Sequence, residues 1–159
     1  MRPTVWAILA FALSIFATSA SARNACTTPA AVNAMVNEIA ASVNAQRQAY
    51  RLPALRYNAR LGQAAMAHAC DMSVNAFFGH RGTDGSNSQR RVRAQGYRDC
   101  LVAENIAWGY PRASQIISGW MASSGHRTNM LHPRAAEFGV AVTDGAKGPN
   151  WVLVVARGC

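Results

Sequence analysis

Apolar residues recur along this chain of 159 residues at spacings that predict helices first and strands later. From Ala30 to about Tyr50 they follow the spacing of an amphipathic helix. Pro53 ends that helix, because the residue before a proline disfavours helical backbone. Asn58 is a suitable N-cap for a second helix, whose inner stripe holds Leu61, Ala65, His68 and Met72.

The rest of the chain mixes short helices with extended segments. The second helix is expected to run out near Phe77 and Phe78, which are interpreted as core aromatics, and to deliver His80 at its end. After a loop at 81–87, the pattern predicts a helix at 88–95 capped by Asp84 or Ser86, a strand at 101–106, a helix at 113–122, a compact turn at 125–131, and strands at 138–142 and 151–155.

The last two strands are near-continuously apolar and are separated by a turn-forming sequence, TDGAKGPN. They predict an antiparallel hairpin whose two faces are both covered. No internal repeat or second-domain boundary interrupts the chain. We therefore expect one folded domain.

The N-terminus is typical of an export signal. Arg2 is followed by an apolar run at 5–17 that is too short to span a membrane with margin, and by the cleavage triplet Ala20-Ser21-Ala22. We expect residues 1–22 to be removed, 23–37 to form a lead and the start of the first helix, and 38–159 to form the domain. An uncleaved anchor is the alternative. The mature protein is expected to be soluble, monomeric, and secreted or periplasmic.

Four cysteines remain after such a cleavage, and none belongs to a CxxC pair. An even number in an exported chain predicts two disulfides. Three pairings are open, and the sequence does not choose among them. The preferred hypothesis joins Cys26 to Cys159, tying the two ends together, and Cys70 to Cys100, bracing the segments around them.

The formal net charge is +9, with Arg outnumbering Lys so that Lys147 is the one lysine. The basic residues are spread along the chain with one local cluster at Arg90, Arg91 and Arg93, and a solvated basic face is the simplest interpretation of this charge. The charge favours anionic envelope partners. Nucleic acid is not expected, since no basic stretch is interleaved with aromatics and the chain is exported.

Histidine and glutamate side chains that could bind a ligand or catalyse a reaction lie in short polar segments between apolar runs. Glu104 and His126 both lie in the stretch 103–131, and His80 lies upstream in FFGHRGTDG. His68 falls on a helix stripe and is interpreted as a structural histidine bonded to a neighbour. His132 is assigned no role.

These patches, in order, resemble the CAP superfamily of secreted proteins (cysteine-rich secretory, antigen 5 and pathogenesis-related 1) in its bacterial, SCP-like form. The matching pieces are VNAQRQAYRLPALRYNARL, FFGHRGTDG, AENIAWG, GWMASSGHRTNML and EFGVAV. The resemblance implies an α+β fold, a three-layer α-β-α sandwich with a central antiparallel sheet. It also implies a cleft with two histidines and two acids.

Carried over residue by residue, the histidines fall on His80 and His126 and the first acid falls on Glu104. The position of the second acid holds Ser123, which is a departure from the family pattern, and Asn129 is expected to line the cleft behind these groups. The implied site is thus reduced to two imidazoles and one carboxylate.

Two neutral imidazoles suit a divalent ion such as Zn²⁺, with Glu104 either a direct ligand or the acceptor that orients an imidazole. The resulting hypothesis is an exported protein whose cleft binds a divalent metal or a small or lipid ligand. Three alternatives stay open. The same residues could serve a secreted hydrolase in which any catalytic groups would be Glu104, His126 and His80, the trio could be a purely structural network, or the basic surface could carry the function.

Overall fold

The computed structural model describes residues 25–159, so the expected export signal at 1–22 lies outside the described residues. The chain order of the elements is α1 (Val32–Ala49), β1 (Arg56–Tyr57), α2 (Ala59–Val74), α3 (Ser88–Ala94), β2 (Asp99–Trp108), α4 (Ala113–Ala122), α5 (Ser124–Met130), β3 (Glu137–Thr143) and β4 (Asn150–Gly158). Within residues 25–159, none of the helices is both long and apolar enough to cross a membrane.

The four strands form one sheet in the order β1-β3-β4-β2. Strands β3 and β4 make the antiparallel hairpin that the apolar pattern predicts, and β2 adds to β4 antiparallel. The short β1 runs parallel to β3, with Arg56 opposite Glu137. The expected α+β fold is confirmed, with a parallel pair at one edge of an otherwise antiparallel sheet.

Helices cover both faces of this sheet, which gives the three layers. One face packs against α1 and α4 through a core that includes Ile39, Ile116 and Trp151. The other packs against α2 and α3 through a core that includes Leu61, Val92 and Val154. Burial on both faces explains why β4 reads as a continuous apolar run, since neither of its faces meets water.

Helix α2 lies unusually close to the sheet, because glycines meet at the contact. A methyl group added at Gly139 on β3 would collide with the backbone at Leu61 and Gly62. Asn58 caps this helix as expected, its side chain accepting a hydrogen bond from the Arg60 amide at 3.0 Å. Helix α2 also carries His68, whose ring lies near Glu104 on the edge strand β2.

A buried arginine ties α1 to the segment that follows α5. Arg47 is completely buried, and its guanidinium donates to the carbonyl oxygens of Pro53, Met130, His132 and Ala135 at 2.8–3.4 Å. The positive charge of Arg47 is thus compensated by carbonyl dipoles and not by a carboxylate, and burial lowers the pKa of the guanidinium. The contact fixes the end of α5, the helix that bears His126.

Three local predictions are wrong. Residues 124–130 form helix α5 rather than a turn, held to β2 by the bond from the Asn105 side chain to the His126 carbonyl. The cap of α3 is Asn87, whose side chain accepts from the Arg90 amide, and not Asp84 or Ser86. Phe78 lies on the surface at 39% exposure, because α2 ends at Val74, before the two phenylalanines.

The preferred disulfide pairing is also wrong. The bonds join Cys26 to Cys70 and Cys100 to Cys159, with Cα–Cα distances of 5.2 and 5.0 Å. The sheet register explains the second bond, because Asp99 pairs with Gly158 and thereby brings the flanking cysteines together. The first bond ties the lead before α1 to α2.

Candidate functional site

Glu104 lies in the middle of β2 with its side chain only 2% exposed. A charged carboxylate at such depth requires partners, because desolvation strongly disfavours the ionised form. Two groups donate hydrogen bonds to it: His80 Nδ1 lies 2.9 Å from Oε1, and Arg91 Nη2 lies 3.0 Å from Oε1 and 2.8 Å from Oε2.

Arg91, on α3, is the functional residue that the sequence reading missed. Its side chain is 8% exposed, and the same guanidinium also donates to the carbonyl oxygens of His80 and Ser86 at 3.1 and 2.9 Å. The interpretation of the arginine cluster as a solvated face is therefore wrong at this position. The sequence does hold one signal for its burial, because Arg91 is next to Val92, the apolar residue that α3 buries in the core.

These partners decide the charge of Glu104. Burial by itself would raise the pKa of the carboxyl, but the hydrogen bond from His80 and the charge and hydrogen bonds of Arg91 outweigh it, so the pKa is lowered. Glu104 is thus ionised at neutral pH, with both oxygens already accepting hydrogen bonds. It acts as the acceptor that orients His80.

His80 stands between this buried pair and solvent. Its Nδ1 is hydrogen-bonded to Glu104, so Nε2 is the ring nitrogen left to bind a ligand. The side chain is 57% exposed. Together with Glu104 it lines an open cleft of about 590 Å³, whose other lining residues are Arg81, Gly85, Asn87 and Ser88.

His68 is fully buried and is a second imidazole near the same carboxylate. Its Nε2–H donates to the Gly79 carbonyl at 2.9 Å, while Nε2 lies 3.8 Å from Glu104 Oε1. Burial lowers the pKa of His68, more than the nearby Glu104 charge raises it, so the ring is neutral. The hydrogen bond holds the backbone immediately before His80, which confirms the structural role expected of His68.

His126, on α5, is half-buried, and its ring centroid lies 6.4 Å from that of Trp120. It makes no hydrogen bond to Glu104 among the described residues, so the carboxylate does not accept from both histidines. Burial, and then the charge of nearby His80, lower the pKa of His126. His126 is therefore neutral near pH 7, and it is not among the residues that line the cleft of His80 and Glu104.

The other expected cleft residues have separate positions. Asn129 donates through Nδ2 to the Glu104 carbonyl at 3.2 Å and to the Asn105 side-chain oxygen at 2.9 Å, so it fastens α5 to β2. Ser123 joins α4 to α5 and is partly buried. Within residues 25–159, neither Ser123 nor Ser124 hydrogen-bonds to a histidine ring, and no three His, Cys, Asp or Glu side chains are grouped as metal ligands.

Comparison with known proteins places this geometry in context. YkwD of Bacillus subtilis (strain 168) is 27% identical over 135 residues, which cover 85% of this chain and 52% of that protein. The chain thus spans about half the length of this relative. An extracellular, SCP-domain protein of Bacillus anthracis superposes with a TM-score of 0.72 at 25% identity, covering 79% of this chain and 41% of that one.

An outer surface protein of Borrelia burgdorferi shares the fold, with a TM-score of 0.75 at 14% identity over 84% of this chain and 99% of that one. The model of the cysteine-rich secretory protein family matches residues 40–156, which include every residue of the site described above. The chain therefore belongs to the CAP family of cysteine-rich secretory proteins.

Proposed function

We propose that the protein is an exported CAP-domain binding protein whose cleft takes a divalent metal such as Zn²⁺ through His80 Nε2 and the His126 ring. The hydrogen bond from His80 Nδ1 to Glu104 carries this proposal. It fixes the tautomer that leaves Nε2 free to bind, in the arrangement that metal-binding histidines commonly have with a carboxylate behind them.

Two features of the histidines support this proposal. His80 is exposed at the cleft, and a lowered pKa keeps His126 in the neutral form that ligates metals. Glu104 is committed to Arg91 and His80, so it supports a ligand instead of being one. Two protein nitrogens leave coordination positions for water or a small anionic ligand.

A site of two imidazoles is expected to be weaker than one completed by a carboxylate ligand, and Ser123 supplies no negative charge. The proposal is therefore for reversible, exchangeable binding. Bacterial neighbours described as extracellular and outer surface proteins support an exported location, either periplasmic or outside the cell.

Isothermal titration calorimetry with Zn²⁺ at neutral pH tests the proposal on protein without a polyhistidine tag. We expect one site per chain in the wild type, abolished by His80→Ala and by His126→Ala. His132→Ala is the matched control, since it removes an imidazole whose Nδ1 only accepts from the Arg134 amide.

Glu104→Gln separates the two roles considered for the carboxylate. If it only orients His80, the amide oxygen of Gln can still accept from Nδ1, so zinc affinity should fall by no more than about 10- to 100-fold, the usual cost of losing the group behind a ligand. Loss of zinc binding as complete as in His80→Ala would show that Glu104 is itself a ligand. Absence of zinc uptake by the wild type would refute the metal site and leave the buried network as a structural device.

A further inference from the structure

Three loops meet at the end of the sheet where β2 and β3 finish and β4 begins. The segment after α2 stacks Phe78 on Trp108 with ring centroids 5.0 Å apart and planes inclined by 14°. The Gly109 amide donates to the Pro149 carbonyl at 3.0 Å, joining the loop after β2 to the turn between β3 and β4. We call residues 76–78, 108–112 and 144–149 the aromatic tip.

The aromatic tip concentrates the exposed apolar surface of the protein. Five large hydrophobic side chains are exposed among residues 25–159, and three of them are here: Phe78 at 39%, Trp108 at 38% and Tyr110 at 53%. Single exposed apolar residues are ordinary, but a cluster on adjoining loops marks an interaction surface.

Backbone geometry holds the rings outward. Gly109 and Gly148 have φ values of 82° and 95°, and a methyl group on Gly148 would lie 2.9 Å from the Gly109 Cα atom. These two positions therefore require glycine, which lets the loops pack backbone to backbone. The aromatic side chains are left on the outside of a tightly packed support.

Positive charge accompanies these rings. The Lys147 ammonium lies 4.5 Å from the Trp108 ring centroid, and Arg112 is exposed on the same tip. Asp144 is the acid of the tip, and no carboxylate of the described residues lies within ion-pair distance of Lys147. The tip therefore carries net positive charge on a chain whose formal charge is already +9.

We propose that the aromatic tip docks the protein on an anionic lipid bilayer. Trp and Tyr rings favour the membrane interface, and neighbouring Lys and Arg side chains add attraction to anionic headgroups. A sugar ring would need a free aromatic face, whereas Trp108 is stacked on Phe78 and already has an ammonium over its ring. Ring edges beside cations suit shallow insertion among headgroups.

Vesicle flotation of the exported product tests this docking, using phosphatidylglycerol mixed with phosphatidylcholine and, separately, phosphatidylcholine alone. We expect binding to the anionic vesicles that weakens as salt rises. Lys147→Glu changes the surface charge by two and should therefore lower binding by about 30-fold. Phe78→Ser should lower it as well.

Matched controls lie at the other end of the sheet. Tyr50→Ser removes an aromatic ring that is 55% exposed, and Arg157→Glu makes the same charge change as Lys147→Glu on exposed β4 backbone. All variants share one N-terminus, so any contribution of residues 1–24 cancels. Far-ultraviolet circular dichroism and zinc titration show that each variant keeps its fold and the separate metal site.

Fluorescence supplies an independent readout of depth. Trp120 and Trp151 are 2% and 0% exposed, so brominated acyl chains should quench mainly Trp108, and Trp108→Phe should abolish that quenching. Equal losses in the tip and control variants, equal binding to neutral vesicles, or no quenching would overturn the proposal. So would binding to cell-wall glycan, lost in Phe78→Ser, by a protein that ignores vesicles.

Discussion

The guanidinium of Arg91 and the carboxylate of Glu104 form a buried ion pair, with Nη2 2.8 Å from Oε2. Their side chains are 8% and 2% exposed, so water screens the pair little. The pair joins α3 to β2 and keeps Glu104 ionised beneath His80. The orientation of the exposed imidazole therefore depends on an arginine that never reaches the cleft surface.

Loss of the arginine should be costly. Arg91→Met leaves a buried carboxylate without its cation, and we expect the free energy of unfolding to fall by about 3–5 kcal/mol. Urea unfolding at neutral pH, with both disulfides intact, measures the loss. Arg90→Met, at the neighbouring exposed position, should change stability by no more than about 0.5 kcal/mol.

A double variant distinguishes charge from packing. Adding Glu104→Gln to Arg91→Met removes the uncompensated charge, so the double variant should be more stable than Arg91→Met alone. A double variant as unstable as the sum of the two single changes would show that lost packing, and not the unpaired charge, causes the effect.

Stability should also depend on pH through His68. Burial lowers the pKa of this ring below its usual 6.5, so the unfolded chain binds a proton more readily than the folded one. The stabilisation is then fully present above pH about 6.5 and is lost as pH falls through the lower, folded-state pKa. Urea unfolding between about pH 7.5 and 5 checks this slope.

His126 and His132 also have lowered pKa values, and burial is the main cause for both. A His126→Asn, His132→Asn double variant removes their contributions and should keep a reduced slope of the same sign from His68. A protein that becomes more stable on acidification through this range would mean that His68 is charged in the fold.

Much of the architecture could be predicted from the spacing of apolar residues, because a helix or strand with one buried face places apolar residues at regular intervals in the sequence. Helix α1 and the β3–β4 hairpin follow directly from it, and the Asn58 cap is a local interaction of side chain with backbone. The link between His80 and Glu104 came from resemblance, since residues 24 positions apart leave no periodic signal.

What could not be predicted depends on tertiary register. Arginine is usually a surface residue, so the sequence does not mark Arg91 as buried. Only the packing of α3 on the sheet shows that it pairs with Glu104. Likewise, Cys100 finds Cys159 because β2 and β4 pair in one particular register. Such long-range pairings cannot be predicted from the pattern of neighbouring residues.

Arg47 allows a second test of stability, because it is a buried cation that has no carboxylate partner. Arg47→Met would remove the donor from four carbonyl oxygens, of which the His132 oxygen keeps the Ala135 amide as a partner, and each unsatisfied buried group costs about 1–3 kcal/mol. We expect a loss of several kcal/mol (about 3 or more) in urea unfolding. Gln48→Met, on the exposed side of the same helix, is the control and should be close to neutral.

Because Arg47 holds the end of α5, its loss should also affect His126. Zinc affinity measured below the unfolding transition should fall in Arg47→Met and remain unchanged in Gln48→Met. A destabilised variant with wild-type zinc affinity would show that α5 is held in place without this arginine, by contacts such as those of Asn129 with β2.

The glycine contact between α2 and β3 gives the sharpest steric prediction. An alanine at Gly139 would place its methyl group against the α2 backbone at Leu61 and Gly62, neither of which is a flexible side chain. The helix would have to move off the sheet, so we expect Gly139→Ala to lose at least about 3 kcal/mol of stability, the upper end of the usual cost of overpacking.

Gly119→Ala is the matched control for that change. Gly119 is exposed within α4, and a methyl group there meets nothing within 4 Å. Alanine should therefore stabilise the helix by about 0.5–1 kcal/mol. Because α2 carries His68, which hydrogen-bonds to Gly79 just before His80, Gly139→Ala should weaken zinc binding as well, whereas Gly119→Ala should not. If Gly139→Ala is as stable as the wild type, α2 does not rest on β3 at this distance.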